Sequence, residues 1–216
     1  MNLTPVKTPK LVSKLFPNYV WSIETDKKDL YLTFDDGPTP VITSWVLDTL
    51  KTFNAKATFF CIGKNIEGNP ELFQRILEEG HLVGNHTQNH VNGWKTKTPE
   101  YMENVLKTEN VLASHVPNFK VQQKLFRPPY GQIKPQQGSR ILELGYKIIM
   151  WDVLSFDWDA SVSEQECLNN VISKSKPGSI IVFHDSVKAS LNMKYALLLT
   201  LEYFSKEGYE FKPLSF

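Results

Sequence analysis

From Asp29 to Leu214 the chain alternates, about seven times, between short apolar runs and longer stretches whose apolar residues recur three or four apart. The short runs read as strands and the periodic stretches as helices. Strand–helix alternation predicts a parallel sheet, because a parallel neighbour is reached only by a crossover, usually a helix. The strands expected are 30–34, 57–61, 81–85, 125–127, 146–153, 179–183 and 209–214. Helix starts are expected at Thr39-Pro40, Asn69-Pro70-Glu71, Thr98-Pro99-Glu100 and the capping box Ser161-x-x-Glu164. Gly80, Gly145 and Gly208 are the expected helix stops.

The side chains able to do chemistry are not scattered along this pattern. Asp35, Asp36, His86, Arg127, Asp157 and His184 all fall at or just beyond the C-terminal end of an expected strand. Parallel α/β barrels assemble their active sites at that end. Groups contributed by so many strands converge naturally in a ring, so the expected fold is a single-domain distorted (β/α) barrel of about seven parallel strands. It occupies residues 29–216, after a proline-punctuated lead-in over residues 1–28. In the lead-in, Leu11, Leu15, Phe16 and Trp21 are expected to pack against the barrel and close one end.

The balance of charge excludes some partners. With 24 basic and 23 acidic residues, net +1, nothing favours nucleic acid or an anionic membrane. No stretch is long and apolar enough to span a bilayer, and the first twenty residues lack the apolar core of a secretory signal, so a cytoplasmic location is expected. Cys61 and Cys167 sit in apolar runs and are expected as buried free thiols. Nothing here determines an oligomeric state.

Asp35 and Asp36 follow the run Leu30, Leu32, Phe34 and precede Gly37-Pro38. Strand alternation sends the two carboxylates in different directions, so that one can ligate a metal while the other faces the water on it. The same four residues also make a good solvated turn. Two adjacent ionised aspartates repel unless a cation or an arginine compensates. His86 and His90 are four apart, which one helical turn would put on one face, and with a carboxylate such a pair suits zinc. Thr87 excludes the His-Glu-x-x-His protease pattern, since threonine cannot be its base. Arg127-Pro128-Pro129-Tyr130-Gly131 is a rigid turn whose permanent cation can orient a carboxylate and whose backbone can offer an N–H to a substrate oxygen. His184 ends the run Ile180–Phe183, where a histidine can serve as general acid. A serine hydrolase is excluded, because no G-x-S-x-G elbow accompanies Ser186.

Together TFDDGP, HTQNH, RPPYG and IVFHD resemble, in order, the first, second, third and fifth motifs of the polysaccharide deacetylases, carbohydrate esterase family 4. The resemblance runs from about Asp29 to about Leu214. It implies a distorted barrel and metal-dependent removal of acetyl groups, foremost N-acetyl, from a carbohydrate. By that resemblance Asp36, His86 and His90 would bind one divalent metal, usually zinc, and Asp35 would be the base that takes a proton from the metal's water. His184 would be the acid, Arg127 would orient Asp35, Asp157 would support His184, and the Tyr130 N–H would share the oxyanion. The fourth motif departs, with Leu154 where an aspartate is common, though Asp157 and Trp158 are intact; in the fifth, Val182 replaces the usual leucine of the acetyl pocket. Trp94, Trp158 and Tyr130 are expected to stack on sugar rings or wall an apolar pocket. Two other functions suit the same motifs: a metal-dependent amidohydrolase of small non-sugar amides, and an inactive saccharide-binding protein.

Overall fold

The structure, a computed structural model, describes residues 5–116 and 124–216. Its centre is β2 (Asp29–Asp35), buried at every position. β3 (Thr58–Cys61) and β8 (Ile180–His184) flank it in parallel. Burial on both faces explains the nearly unbroken apolar run of β2. From β3 the sheet continues through β4 (Leu82–Asn85), β5 (Lys124–Phe126) and β6 (Tyr146–Ile149) to the short β1 (Tyr19–Val20). On the other side β8 is followed by β7 (Val153–Leu154), and β9 (Glu210–Phe211) pairs with the start of β2. Every pairing of these strands is parallel, and the sheet curls into a distorted (β/α) barrel.

Register sets up the site. Asp35 lies opposite both Phe60 and His184, and Asn85 lies opposite Cys61 and Phe126, so neighbouring strands end at one rim. Side chains alternate faces along a strand. Leu32 and Phe34 point outward, where Phe34 stacks on Phe59 and Phe183, against α2 (Ile42–Thr52), α7 (Glu164–Lys174) and α8 (Ser190–Lys206). Tyr31 packs on the other face with Phe60, Leu125, Ile149 and Ile180, which places Thr33 and Asp35 above that interior cluster. A further core of Tyr101, Val105, Phe126, Ile141 and Ile148 lies under α5 (Thr98–His115) and α6 (Pro135–Glu143). Cys61 and Cys167 are free and buried, as expected.

Several local expectations are corrected. The run 146–153 is two strands, β6 and β7, separated where the backbone leaves the ladder at residues 150–152. With β1 this brings the described strands to nine rather than seven. In the lead-in, Leu11 and Leu15, on α1 (Lys10–Leu15), are 68% and 65% exposed and seal nothing. The lead-in instead spans the two edges of the sheet: Lys7 bridges to Val153 of β7, and β1 pairs with β6. The helix after β2 begins at Ile42 rather than Pro40, because Val41 has φ 67° and cannot be helical. A short α3 (Gly63–Gly68) precedes the expected α4 (Pro70–Glu78). Among the described residues no helix is long and apolar enough to cross a membrane.

The capping box is also displaced by two residues. Ser163 caps α7, its hydroxyl accepting from Glu166 N while the Glu166 carboxylate accepts from Ser163 N. Ser163→Ala should cost about 1 kcal/mol, whereas Ser161→Ala should change stability by less than about 0.5 kcal/mol. Urea unfolding of the two variants measures the difference, and equal costs would place the cap elsewhere.

Candidate active site

Arg127 follows the last residue of β5 and is completely buried. All three of its nitrogens donate, through four of the five N–H groups. Nη1 donates to Asp35 Oδ1 and Thr33 Oγ1, both at 2.7 Å, Nη2 to Met150 O at 2.8 Å, and Nε to Ile149 O at 3.2 Å. The guanidinium also lies 4.2 Å from the centre of the Phe60 ring. The end of β6 and the break that follows it thus each present a carbonyl, of Ile149 and of Met150, to the arginine. Burial pushes the Asp35 carboxyl up, but Arg127, with help from His86 and His184, outweighs it and holds Asp35 below the usual 3.8.

Asp36, His86 and His90 converge beside that carboxylate. Asp36 Oδ1 is 3.2 Å from His90 Nε2 and 3.8 Å from His86 Nε2. One ligand atom from each residue can be chosen so that all lie within 4.8 Å of one another. The helical-turn explanation for the histidine pair is wrong: residues 86–90 form a loop in which Thr87 and His90 have φ of 64° and 53°. Backbone bonds from Gly63 N to Thr87 O, Lys64 N to Gln88 O and Gln88 N to Asn104 O hold it. The two aspartates do not diverge either. A φ of 84° at Asp36 breaks strand alternation, and both carboxylates face one cavity.

These residues fit a divalent cation. Asp36 Oδ1 is buried without a hydrogen-bond partner. His86 Nδ1 meets Arg127 O at 2.8 Å, which assigns the proton to Nδ1 and leaves the Nε2 lone pair facing Asp36. Burial lowers the pKa of His86, and burial together with the neighbouring His86 lowers that of His90 to about 4, so both rings are neutral donors.

His184, the last residue of β8, is held by one carboxylate at two points: Nδ1 lies 2.8 Å from Asp157 Oδ1, and its backbone N–H donates to Asp157 Oδ2 at 2.7 Å. Burial disfavours the imidazolium, yet Asp157, with smaller contributions from Asp36 and Asp35, raises the pKa to about 9. The Trp158 ring meets His184 edge-on at 4.6 Å. Asp35, Asp36, His86, His90 and His184 all line one cavity of about 700 Å³. Tyr130, Trp158 and Val182 line it too, with Tyr130 60% exposed and its ring 4.6 Å from that of His90. Trp94 is not brought there; it is 62% exposed, and its indole donates to Ile133 O.

Some of the site was not anticipated. Thr33 supports Arg127, a role readable in its position two before Asp35 on the same strand face. Trp151 lines the cavity and leaves no room for a side chain at residue 131, where φ is 65°. Buried Asp185 receives the Gly37 N–H and the Thr43 hydroxyl, and burial pushes its carboxyl up to about 7. No local pattern announces Trp151, whereas Asp185 closes the IVFHD run, which contains the residue without indicating this seat.

The profile of the polysaccharide deacetylases matches residues 22–149. The chain belongs to that family. Among its relatives are two peptidoglycan-N-acetylglucosamine deacetylases of Bacillus cereus. One is 41% identical over 78% of this chain and 60% of its own length; the other is 33% identical over 90% of each. Thus the chain spans less than two thirds of the first relative. The crystal structure of the Bc1960 peptidoglycan N-acetylglucosamine deacetylase superimposes with a TM-score of 0.86 at 36% identity, covering 96% of this chain and 95% of that one.

Against the polysaccharide deacetylase pattern, Leu154 is now explicable. It is 3% exposed in an apolar cluster with Phe156 and Val182, and Asp157 already meets the backbone N–H and Nδ1 of His184. Removing Arg127 is a different matter. Arg127→Met should destabilise the metal-free protein by about 3–5 kcal/mol near neutrality, because Asp35 is left as a buried, unpaired charge. In the native protein the lowered Asp35 pKa contributes stability that is present above 3.8 and lost as pH falls through the folded value. In the variant Asp35 titrates upward, so the deficit should shrink on acidification towards about pH 4. Unfolding curves at both pH values check this, and a deficit independent of pH would separate Arg127 from the ionisation of Asp35.

Proposed function

We propose that this chain is a metal-dependent carbohydrate deacetylase, with N-acetylglucosamine residues of a peptidoglycan- or chitin-type polymer as its substrate class and zinc as its metal. What carries the reading is one juxtaposition: the Asp36–His86–His90 donor set opens on the same cavity as ionised Asp35 and as His184 on Asp157. A metal held there supplies a Lewis acid that polarises the acyl oxygen and acidifies water.

The chain's own residues carry the protons. Asp35, kept ionised by Arg127, takes a proton from the attacking water. An amine leaves only when protonated, and His184 delivers that proton as the C–N bond breaks. Asp157 holds the other imidazole nitrogen, which keeps the donor N–H turned to the cavity. The Tyr130 N–H adds a hydrogen bond to the developing oxyanion, and the Tyr130 and Trp158 rings pack against the sugar and its acyl group.

No base, acid or ligand position is lost, which weighs against an inactive saccharide binder. A small-amide hydrolase would share the mechanism and differ only in substrate. Acetate release from chitooligosaccharides, polymeric peptidoglycan, soluble wall fragments, acetylated xylan and small acetamides separates these readings; a cytoplasmic enzyme would meet only soluble material. Release from the acetamides alone would overturn the sugar assignment.

The roles are tested one by one. His90→Ala should lower metal content and activity together, and full metal retention would remove His90 from the ligand set. Asp35→Asn should keep its metal and lose activity by about 10²–10⁴-fold. The alkaline limb of kcat/KM should follow His184, falling as pH rises through about 9. Asp157→Asn should shift that limb to lower pH, because the partner that raises the imidazole pKa is then neutral; an unmoved limb would refute the acid assignment. Leu154→Asp should alter substrate preference far more than turnover, and a large gain in activity would mean that the native chain is a binder.

A further inference from the structure

We propose that Asp185 is a positioning residue that fixes the Asp35–Asp36 turn against the strand carrying His184, so that metal affinity and turnover both depend on it. This rests on the metal site proposed above. The turn needs anchoring, since Asp36 holds φ 84° and its carboxylate must face His90 and His86 rather than solvent. One side of the turn is secured from β3 and α3: Ile62 N donates to Gly37 O at 3.0 Å, and Asn65 Nδ2 donates to Asp36 O at 2.7 Å.

The other side is secured by Asp185 alone among the described residues. Its Oδ1 accepts from Gly37 N at 3.0 Å, its Oδ2 accepts from the Thr43 hydroxyl, and its own N–H donates to Asp35 O at 3.1 Å. Thr43 Oγ1 in turn accepts from Thr39 N at 2.7 Å, so the whole turn from residue 35 to residue 43 is tied to one carboxylate. Asp185 and Thr43 are completely buried. A Cβ at residue 37 would sit 2.0 Å from Asp185 Oδ2, which is why only glycine fits between Asp36 and Pro38. Asp185 follows His184 directly, so the element that carries the proton donor also sets the place of the acids.

The experiment uses the full chain with Asp185→Asn, Asp185→Ala, Thr43→Val and Thr43→Ser, titrated with Zn²⁺ against a chromogenic chelator and with Co²⁺ followed by its visible spectrum. Asp185→Ala should weaken metal binding about tenfold or more, alter the Co²⁺ spectrum, and lower kcat with little change in KM. Asp185→Asn, which keeps an acceptor for Gly37 N–H, and Thr43→Ser, which keeps the hydroxyl, should recover most of the loss. A merely structural role would lower Tm equally with and without metal; positioning reduces the rise in Tm that metal produces. Should Asp185→Ala fail to fold, Thr43→Val carries the test, with weaker metal binding expected. Native metal affinity and kcat in the folded variants would overturn the inference while leaving the metal-centre reading standing. A native chain that binds neither metal would overturn both.

Discussion

Arg127 is a permanent cation with no access to water, and the mouth of the barrel is organised around making that tolerable. Moving such a charge out of water costs several kcal/mol even after relaxation, unless each donor is paired. Asp35 supplies the counter-charge, Thr33 and two backbone carbonyls take three further N–H groups, and Phe60 covers the guanidinium face. The arrangement spans β2, β5 and the break after β6, so it crosslinks strands distant in sequence. Its by-product is chemical. Asp35 is buried and yet ionised, which is what a general base needs near neutrality.

The same logic recurs across the cavity with the sign of the shift reversed. Asp157 raises the pKa of His184 as Arg127 lowers that of Asp35. Two titratable groups whose environments push them apart can hold base and acid roles at one pH. Between them, His86 and His90 stay neutral because burial disfavours their cations, leaving lone pairs for a metal. Geometry and electrostatics are therefore not separate features of this site. The buried hydrogen bonds that orient each side chain also select its protonation state.

Much of this was legible in the chain. Strand–helix alternation indicated a parallel α/β barrel because a parallel ladder requires crossovers, and the polar residues that interrupt apolar runs marked the strand ends. Asp35, Asp36, His86, Arg127, Asp157 and His184 were all locatable for that reason. The errors of direction around the acids and histidines share a cause. Asp36, Thr87 and His90 have positive φ, so alternation and helical spacing, which assume regular backbone, gave wrong directions for their side chains. Leu11 and Leu15 look like core residues in the sequence, yet their short helix faces solvent.

The amino-acid sequence by itself determined the period of the elements, their order and the type of each chemical group, because these depend on local stereochemistry and on which residues can bury. Only the tertiary structure decided which groups meet. The split of β6 from β7, the seat of Asp185 against Gly37 and the role of the lead-in as a span between sheet edges depend on contacts between residues far apart in the chain. Protonation follows the same rule: an aspartate and a histidine carry ordinary pKa values until burial and a neighbouring charge set them.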